Sequence, residues 1–489
     1  MLGVTLLAIA RAHAGDDPVP HPAPLPTAAV DESRFPRSAP DRPAVGTRAF
    51  VVATTGSDRA AGTEAEPFRT IARGLEAARE AGGAAVVVRA GTYAEGSTDS
   101  ERALVIDRDG TSLWAAPGEA VAVQPAGSGV TYGLAIEASH VIVRGLSLSG
   151  FASNGIAVGR EGAAIQDVVI ANVEVAMPAG GDGIAVFVGG SNERPAIDGL
   201  RLERIKVSGA DLGVTVSTGP IRNLVITDIA IRGRGGQGEN SGADAIAVES
   251  GDNVLINGAD IALADGDGID LKATRVAVIN VHVHDCGRNA IKLWRGGDIV
   301  NALVHDCGAD AAIVLDGTNP DAAHPAEYRI VASTIAFHNR RNGAAKSYVL
   351  TCGYDRPGDT NRLALIACVF HGNTGGMVLS RGTRFAVRAC LLGAIEGGLA
   401  FEHGWDGAAS HVAGSLDELG RAGESVANLA PATAPGLTDP AATTVNGFRP
   451  AGSSALAGRG VRGRGLPTVD LTGAMRPAAP SIGALEPVR

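Results

Sequence analysis

The middle of the chain repeats a short pattern in which a small residue is followed by alternating apolar positions. The alternation has a period of two, as in a β-strand with one buried face. Turn-forming Asp-Gly, Gly-Gly and Asn-Gly pairs separate the copies. The copies cover residues 155–158, 183–186, 213–216, 245–248, 268–271, 290–293 and 312–315. Their starts lie 28, 30, 32, 23, 22 and 22 residues apart, so the pattern predicts a repeated coil of roughly constant length.

Strands at this spacing, with no helical stretch between them, predict an all-β fold of the single-stranded right-handed parallel β-helix type. A βαβ fold needs a helix in each crossover, and the sequence between the copies shows none. We expect the β-helix to span 49–400, and we expect Ile246, Ile269, Ile291 and Ile313 to stack inside it.

The beginning of the β-helix has its own pattern. Residues 50–58 and 85–93 are typical of strands, and 67–82 is typical of an amphipathic helix with Pro near its start and Gly at its end. A β-helix exposes unpaired backbone groups where its coils begin. The segment therefore predicts an N-terminal capping helix.

The two ends of the chain differ from the repeats. Residues 1–14 resemble a signal peptide, since an apolar run is followed by a small-x-small step that ends at Ala14. Residues 15–48 are rich in Pro and Ala and are typical of a linker, while 401–489 are expected to form C-terminal coils and a wrapping tail. These features predict a secreted or periplasmic protein without a membrane span.

Charge and cysteine content limit the functional class. Forty-two basic and 52 acidic residues give a net charge of −10, which argues against a nucleic-acid partner bound through its phosphates. The chain is expected to be a monomer. Five cysteines without CxxC spacing indicate buried thiols, two of them in a repeated His-Asp-Cys-Gly motif at 284–287 and 305–308. Only four of the basic residues are lysines.

Alignment of the copies predicts columns of outward side chains on neighbouring strands. One column has no charged residue before Asp270, which should lie directly beside Lys292 on the next coil. Four further carboxylates and a second of the four lysines gather around this pair. The residues are Asp244, Glu249, Asp265, Asp267, Lys272, Trp294 and Arg295. Oxygen ligands at this density favour Ca²⁺ over a transition metal.

Two structural explanations stay open for the same residues. An Asp that precedes Gly is a good turn former, so Asp182 and Asp267 have an alternative role as turn residues. Asp270 and Lys292 have an alternative role as an exposed cross-strand salt bridge worth under about 1 kcal/mol.

Longer motifs carry a resemblance to known families. The segment that begins with Thr-Gly-Ser-Asp at 55–58 and ends with Gly-Thr-Tyr at 91–93 resembles the start of bacterial right-handed β-helix carbohydrate-active proteins, and residues 470–486 resemble their last coil. The segments 242–247, 265–271 and 288–293 are similar to the three active-site coils of family 9 polysaccharide lyases, the pectate-lyase-like enzymes.

This resemblance implies a Ca²⁺ site and a lysine base. Carried over by position, Asp244, Asp267 and Asp270 would be the calcium ligands, and Lys292 would be the base. The family has Asp where this chain has Gly266, so Asp265 is the candidate replacement.

The resulting hypothesis is a polysaccharide lyase that cleaves a uronate-containing, pectate-like glycan by Ca²⁺-assisted β-elimination. Lys272, Trp294 and Arg295 are its candidate substrate-binding residues. One alternative is a glycoside hydrolase that uses paired carboxylates such as Asp267 and Asp270. A second alternative is a non-catalytic, glycan-binding surface solenoid. The loops at 316–328 and 340–348 are candidate borders of the cleft.

Overall fold

The computed structural model describes the chain from residue 30 to residue 487, with gaps. The gaps are 98–99, 161, 178–179, 187–195, 218, 236–241, 309–310, 318–324, 339–347, 354–360, 374–375, 381–382, 394–400, 404–423, 430–432, 440, 442–443 and 461–465. The predicted signal peptide, the first part of the predicted linker and most of the two predicted border loops lie outside the described residues.

The chain folds as a right-handed parallel β-helix, which confirms the predicted fold class. The described residues form 31 strands that pair in parallel, one α-helix, and short 3₁₀ turns at Glu32–Arg34 and Val445–Phe448. The chain forms two compact units. The first unit consists of Asp31–Arg234 and Ala243–Val254, and the second is formed mainly by Leu255–Arg489.

Three ladders of parallel strands build the first unit, and each coil adds one rung to each ladder. Its strands are β1 (Ala49–Val52), β2 (Ala85–Val88), β3 (Gly91–Glu95), β4 (Arg102–Ile106), β5 (Ser112–Ala115), β6 (Val121–Pro125), β7 (Tyr132–Ile136), β8 (Val141–Arg144), β9 (Leu146–Ser149), β10 (Asn154–Val158), β11 (Ile165–Ala176), β12 (Asp182–Val186), β13 (Ile197–Ser208), β14 (Leu212–Val216) and β15 (Ile221–Arg232). Strand β16 (Ile246–Ala262) contributes residues to both units.

Single residues turn the long strands from one ladder to the next. Strand β11 pairs with β8 up to Ala171 and with β9 from Glu174. Between these two points Asn172 has a φ of 52°, and Arg204 and Asp228 have similar values in β13 and β15. A left-handed residue changes the direction of the chain sharply without a loop.

Helix α1 (Ile71–Glu80) packs against the first strands, as the sequence predicted. Thr70 precedes the helix, and its hydroxyl accepts a hydrogen bond from the Arg73 N–H at 3.2 Å. Ile71 and Leu75 lie on the buried face. A Cβ atom at Gly74 would lie 2.8 Å from the side chains of both Val52 and Val86, so glycine allows the helix its close approach.

The second unit also consists of three parallel ladders. Its strands are β17 (Ile269–His284), β18 (Ile291–Leu293), β19 (Gly297–Val300), β20 (Leu303–His305), β21 (Ala311–Leu315), β22 (Ala326–Val331), β23 (Thr334–Ala336), β24 (Tyr348–Cys352), β25 (Asn361–Ile366), β26 (Val369–His371), β27 (Met377–Leu379), β28 (Arg384–Arg388), β29 (Leu391–Leu392), β30 (Phe401–His403) and β31 (Glu424–Val426). We call the ladder β17–β18–β21–β24–β27–β30 the motif ladder, because the sequence repeat lies on it.

Apolar side chains of the repeat stack inside, as predicted. In the second unit Ile269 pairs with Ile291, and Ile291 pairs with Ile313; all three are fully buried. In the first unit Ile246 is fully buried and pairs with Val214. Burial of an Ile side chain contributes about 1.5–3 kcal/mol, so each rung of such a stack adds to stability.

An asparagine stack follows one corner of the second unit. The Asn280 amide donates to the Asn257 side-chain oxygen at 2.9 Å, and the Asn301 amide donates to that of Asn280 at 3.0 Å. Arg476 in the C-terminal segment donates to the Asn301 oxygen at 3.0 Å and forms a buried ion pair with Glu486 at 2.6 Å. The C-terminal segment is therefore tied to the coils by polar contacts as well as apolar ones.

All five cysteines lie among the described residues and are free, buried thiols, as predicted. The Cys286 and Cys307 thiols each donate to a backbone carbonyl two residues earlier, at 3.6 and 3.5 Å. Among the described residues, no helix has the length and hydropathy needed to cross a membrane.

Candidate functional site

The candidate site lies on the outer side of the motif ladder in the second unit. Strand pairing places Asp270 of β17 beside Lys292 of β18, and Lys292 beside Val314 of β21. The repeat brings Asp270 and Lys292 together because their strands pair in register and both residues occupy an outward position. Asp270 is 5% exposed, so its carboxylate is held largely away from water.

Asp267 precedes β17 and is also buried, with 2% exposure. Its Oδ1 atom accepts hydrogen bonds from the Asn289 backbone N–H at 3.0 Å and from the Asn289 amide at 2.7 Å. Asn289 occupies the same position on the next coil. Asp267 and Asp270 also bring carboxylate oxygens within 4.8 Å of each other. Asp267 thus combines a structural contact between coils with a place beside Asp270.

A tryptophan indole holds the Asp270 carboxylate. The Trp294 Nε1–H donates to Asp270 Oδ1 at 2.7 Å, and the Lys272 ammonium lies 3.9 Å from Asp270 Oδ2. Burial raises the pKa of Asp270 to about 6, with nearby Asp267 raising it further and Lys292 lowering it. The carboxylate is therefore in a place where an additional cation would favour its charged form.

Lys292 lies near the Trp294 ring, as Lys272 does, but unlike Lys272 it forms no ion pair with Asp270. Its ammonium lies 4.8 Å from the centre of the Trp294 ring, and the Lys272 ammonium lies 5.1 Å from the same centre. Within the described part of the chain, Lys292 forms no ion pair at 4.0 Å or less, so the Asp270–Lys292 salt bridge considered from the sequence is not formed. The indole ring attracts both ammonium groups through its negatively polarised face.

A buried tyrosine supports the tryptophan from behind. The Tyr328 hydroxyl donates to the Trp294 backbone carbonyl at 3.1 Å and accepts from the Gly317 N–H at 2.8 Å. Burial raises the pKa of Tyr328 well above its ordinary range. Sequence reasoning treated this residue only as the end of a loop and gave no role to Asn289. The signal for Asn289 was its place in the repeat, one coil after Asp267, whereas Tyr328 lies outside the repeated motif.

The other predicted site residues have varied positions. Asp265 is buried with 5% exposure, and its carbonyl lies so close to Gly287 that a Cβ there would approach it to 2.2 Å. Arg295 directly follows Trp294 in the chain and is exposed. Asp244 and Glu249 belong to the first unit, Asp244 two residues before β16 and Glu249 within it. Their place beside the second-unit residues stays a prediction from the sequence repeat.

The donor set has the chemistry of a hard-cation site. Asp267 and Asp270 offer carboxylate oxygens at short mutual distance, and hydrogen bonds engage Oδ1 of each, which orients the second oxygen. Ca²⁺ prefers six to eight oxygen ligands, which carboxylates, waters and a bound acidic ligand supply together. The two aspartates fit such an ion as part of its coordination shell.

Comparison with known proteins supports the fold. A family model described as a right handed beta helix region matches residues 154–326. No curated protein sequence matches the chain.

The solved structures that match the chain are distant in sequence. Pectate lyase Pel9A is 13% identical, with 90% of this chain and 96% of that chain covered and a TM-score of 0.46. The A-module of the mannuronan C-5 epimerase AlgE6 of Azotobacter vinelandii is 17% identical, with 65% and 94% covered and a TM-score of 0.40. A rhamnogalacturonan lyase is 12% identical, with 64% and 84% covered and a TM-score of 0.33.

Proposed function

We propose that the protein is a polysaccharide lyase that cleaves a uronate-containing glycan by β-elimination, with Lys292 as the base. The observation that carries the proposal is the environment of Lys292. It stands beside a buried, hydrogen-bonded aspartate, packs near an indole ring, and has no carboxylate within ion-pair distance among the described residues. A lysine that is not committed to a salt bridge is available to exchange a proton with a substrate.

In the proposed reaction Lys292 removes the proton on the carbon next to the uronate carboxylate. The C–H electron pair then forms a carbon–carbon double bond, and the glycosidic oxygen leaves from the adjacent carbon with the electrons of the C–O bond and takes up a proton from solvent. Proton removal leaves negative charge on the uronate carboxylate, so the reaction requires positive charge beside it. Lys272 and the exposed Arg295 are proposed to bind substrate carboxylates, and the Trp294 ring is proposed to contact a sugar face.

Asp267 and Asp270 are proposed to hold Ca²⁺, with Asp265 as the candidate replacement where Gly266 stands. When bound, the ion would neutralise the substrate carboxylate and stabilise the charge that develops on it. Trp294 keeps one oxygen of Asp270 engaged, and Asn289 keeps one oxygen of Asp267 engaged. These contacts support the proposal because each engages the Oδ1 atom of its aspartate and so orients the carboxylate.

The test is a screen of pectate, alginate and glycosaminoglycans with added Ca²⁺, read by the ultraviolet absorbance of an unsaturated uronate product. On the substrate that is cleaved, Lys292→Arg should reduce kcat by about 10²–10⁴-fold, since Arg keeps its proton far more firmly. Lys206→Arg is the matched control, because Lys206 is exposed and paired with Glu174 at 2.7 Å. Turnover by Lys292→Arg close to the parent rate would exclude Lys292 as the base.

One observation favours a glycoside hydrolase as the second candidate. Asp267 and Asp270 have oxygens within 4.8 Å, and the pKa of Asp270 is raised to about 6, as a general acid requires. A short carboxylate separation suits a retaining mechanism. The product separates the candidates: a hydrolase forms new reducing ends without ultraviolet absorbance. Binding of a glycan without any product would indicate a non-catalytic surface solenoid.

A further inference from the structure

Three histidines meet on the ladder formed by β17, β20 and β23, away from the proposed lyase residues. His282 and His284 are two residues apart on β17, so both point to the same face of the strand. His305, the last residue of β20, pairs with His284. The His282 and His284 ring centres are 4.3 Å apart, and those of His284 and His305 are 5.1 Å apart. We call these three residues the histidine cluster.

Each histidine of the cluster has an aspartate beside its Nδ1 atom. His284 Nδ1 lies 2.7 Å from Asp285, and His305 Nδ1 lies 2.8 Å from Asp306. His282 Nδ1 lies 3.1 Å from the carboxylate of Asp260. An ionised carboxylate only accepts hydrogen bonds, so the Nδ1 atoms of His284 and His305 carry the hydrogen. In a neutral ring the Nε2 atom then has a lone pair, which is the arrangement of histidines that bind metals.

Two of the Nε2 atoms face each other at short distance. His282 Nε2 and His305 Nε2 are 2.9 Å apart, and the two side chains are 6% and 0% exposed. In the neutral ring of His305 this Nε2 atom has a lone pair, so either a hydrogen or a metal ion lies between the two nitrogens. The choice is a shared proton or a metal ion.

The surroundings of the pair favour a metal ion. A shared proton needs only two nitrogens, but the three histidines each place a possible ligand atom within 4.8 Å of the others. The Asp260 Oδ1 atom lies 3.7 Å from His284 Nε2 and adds a nearby oxygen. The Cys286 thiol, only two residues from His284, donates to a backbone carbonyl, so the donor set contains nitrogen and oxygen rather than sulfur.

We propose that the histidine cluster binds one Zn²⁺ ion through the Nε2 atoms of His282, His284 and His305. Imidazole is a common ligand of Zn²⁺, with Zn–N distances near 2.0–2.1 Å. Tetrahedral geometry at those distances separates two nitrogens by about 3.3 Å. The His282 and His305 rings therefore move apart by a few tenths of an ångström when the ion binds.

The position of the site indicates a structural role for the ion. The Phe448 ring stacks on His305 with centres 4.4 Å apart and covers it on one side. The His284 side chain is 15% exposed and gives the cluster its opening to solvent. Ligands from β17 and β20 would join two successive coils beneath the C-terminal segment. This site is independent of the proposed lyase activity.

The test is Zn²⁺ binding by the full chain after treatment with a chelator and transfer to buffer with excess Ca²⁺. Calorimetry should find one Zn²⁺ per chain, and the thermal midpoint should rise with Zn²⁺. His282→Ala should weaken binding at least about 100-fold, and Asp306→Asn should weaken it about 10–100-fold by removing a partner of a ligand. His140→Ala is the matched control, since His140 is exposed in the first unit.

The Asp270→Asn variant separates this site from the proposed calcium site, because it should leave Zn²⁺ binding unchanged. Absence of both calorimetric binding and a thermal shift in the unsubstituted protein would overturn the proposal. It would mean that a proton alone bridges His282 and His305. Binding that survives in His282→Ala with unchanged affinity would overturn it as well. The unsubstituted protein gives the primary result, so failure of a variant to fold does not prevent a decision.

Discussion

Replacement of Glu95 by Gln should make the stability of the protein less dependent on pH. Glu95 is 2% exposed at the end of β3. Its two carboxylate oxygens accept hydrogen bonds from the first N–H groups of α1, from Ile71 at 2.7 Å and from Ala72 at 3.2 Å. Burial raises the pKa of Glu95 from 4.5 to about 7, although both hydrogen bonds act in the opposite direction.

The size of the effect follows from that pKa. A tenfold change in proton affinity corresponds to 1.36 kcal/mol, so a rise from 4.5 to about 7 corresponds to up to about 3 kcal/mol. Between these two pH values the folded protein binds the proton and the unfolded chain does not. The stabilising contribution is therefore complete below pH 4.5 and is lost as the pH rises through about 7.

Urea unfolding at several pH values between 5 and 8.5 measures this loss. The free energy of unfolding of the unsubstituted protein should fall relative to that of Glu95→Gln by about 2–3 kcal/mol across the range. Glutamine keeps an oxygen for the helix N–H groups and has no charge to bury. Glu101→Gln is the control, because Glu101 is exposed near the same end of the first unit.

A constant difference between the two proteins from pH 5 to 8.5 would refute the reasoning. It would mean that Glu95 stays ionised throughout. In that case the partial positive charge of the helix start would outweigh the desolvation of the carboxylate.

Three further predictions concern the second unit. Trp294→Phe removes the indole donor of Asp270 and should lower the free energy of unfolding by about 1–3 kcal/mol in urea; an unchanged value would show that the hydrogen bond contributes nothing net. Arg476→Met leaves the Glu486 carboxylate buried without its partner and should cost about 3–5 kcal/mol, whereas a loss below 1 kcal/mol would contradict the buried ion pair. Removal of divalent ions by a chelator should abolish turnover and Ca²⁺ should restore it; full activity in excess chelator would exclude the metal.

The repeat made much of the fold predictable from sequence. A period of two assigns each residue of a strand to one face, and a constant coil length assigns it to one rung. These two rules predicted the inward stack of Ile269, Ile291 and Ile313 and the pairing of Asp270 with Lys292. They use only backbone positions, so they hold wherever strands pair in parallel and in register.

Side-chain directions were not predictable in the same way. The rules place Lys292 directly beside Asp270, yet the ammonium that lies 3.9 Å from that carboxylate belongs to Lys272. A lysine side chain has four rotatable bonds, so the position of its ammonium group depends on which partners it can reach. The Trp294 ring lies close to both ammonium groups, and its indole N–H donates to Asp270. It therefore contacts all three charged side chains. Sequence alone suggested only a sugar contact for that tryptophan.

The histidine cluster follows from the same two rules, although the sequence reading gave weight to the neighbouring cysteines. The copies of the His-Asp-Cys-Gly motif are 21 residues apart, about one coil, so His284 and His305 must become neighbours. The period of two then places His282 on the face of His284. The last requirement is that Asp285 and Asp306 reach back to their histidines, which depends on backbone angles: both have a positive φ, 54° and 53°. The repeated motif thus also determines that Nδ1 carries the hydrogen in His284 and His305, and hence that Nε2 of each neutral ring has the lone pair.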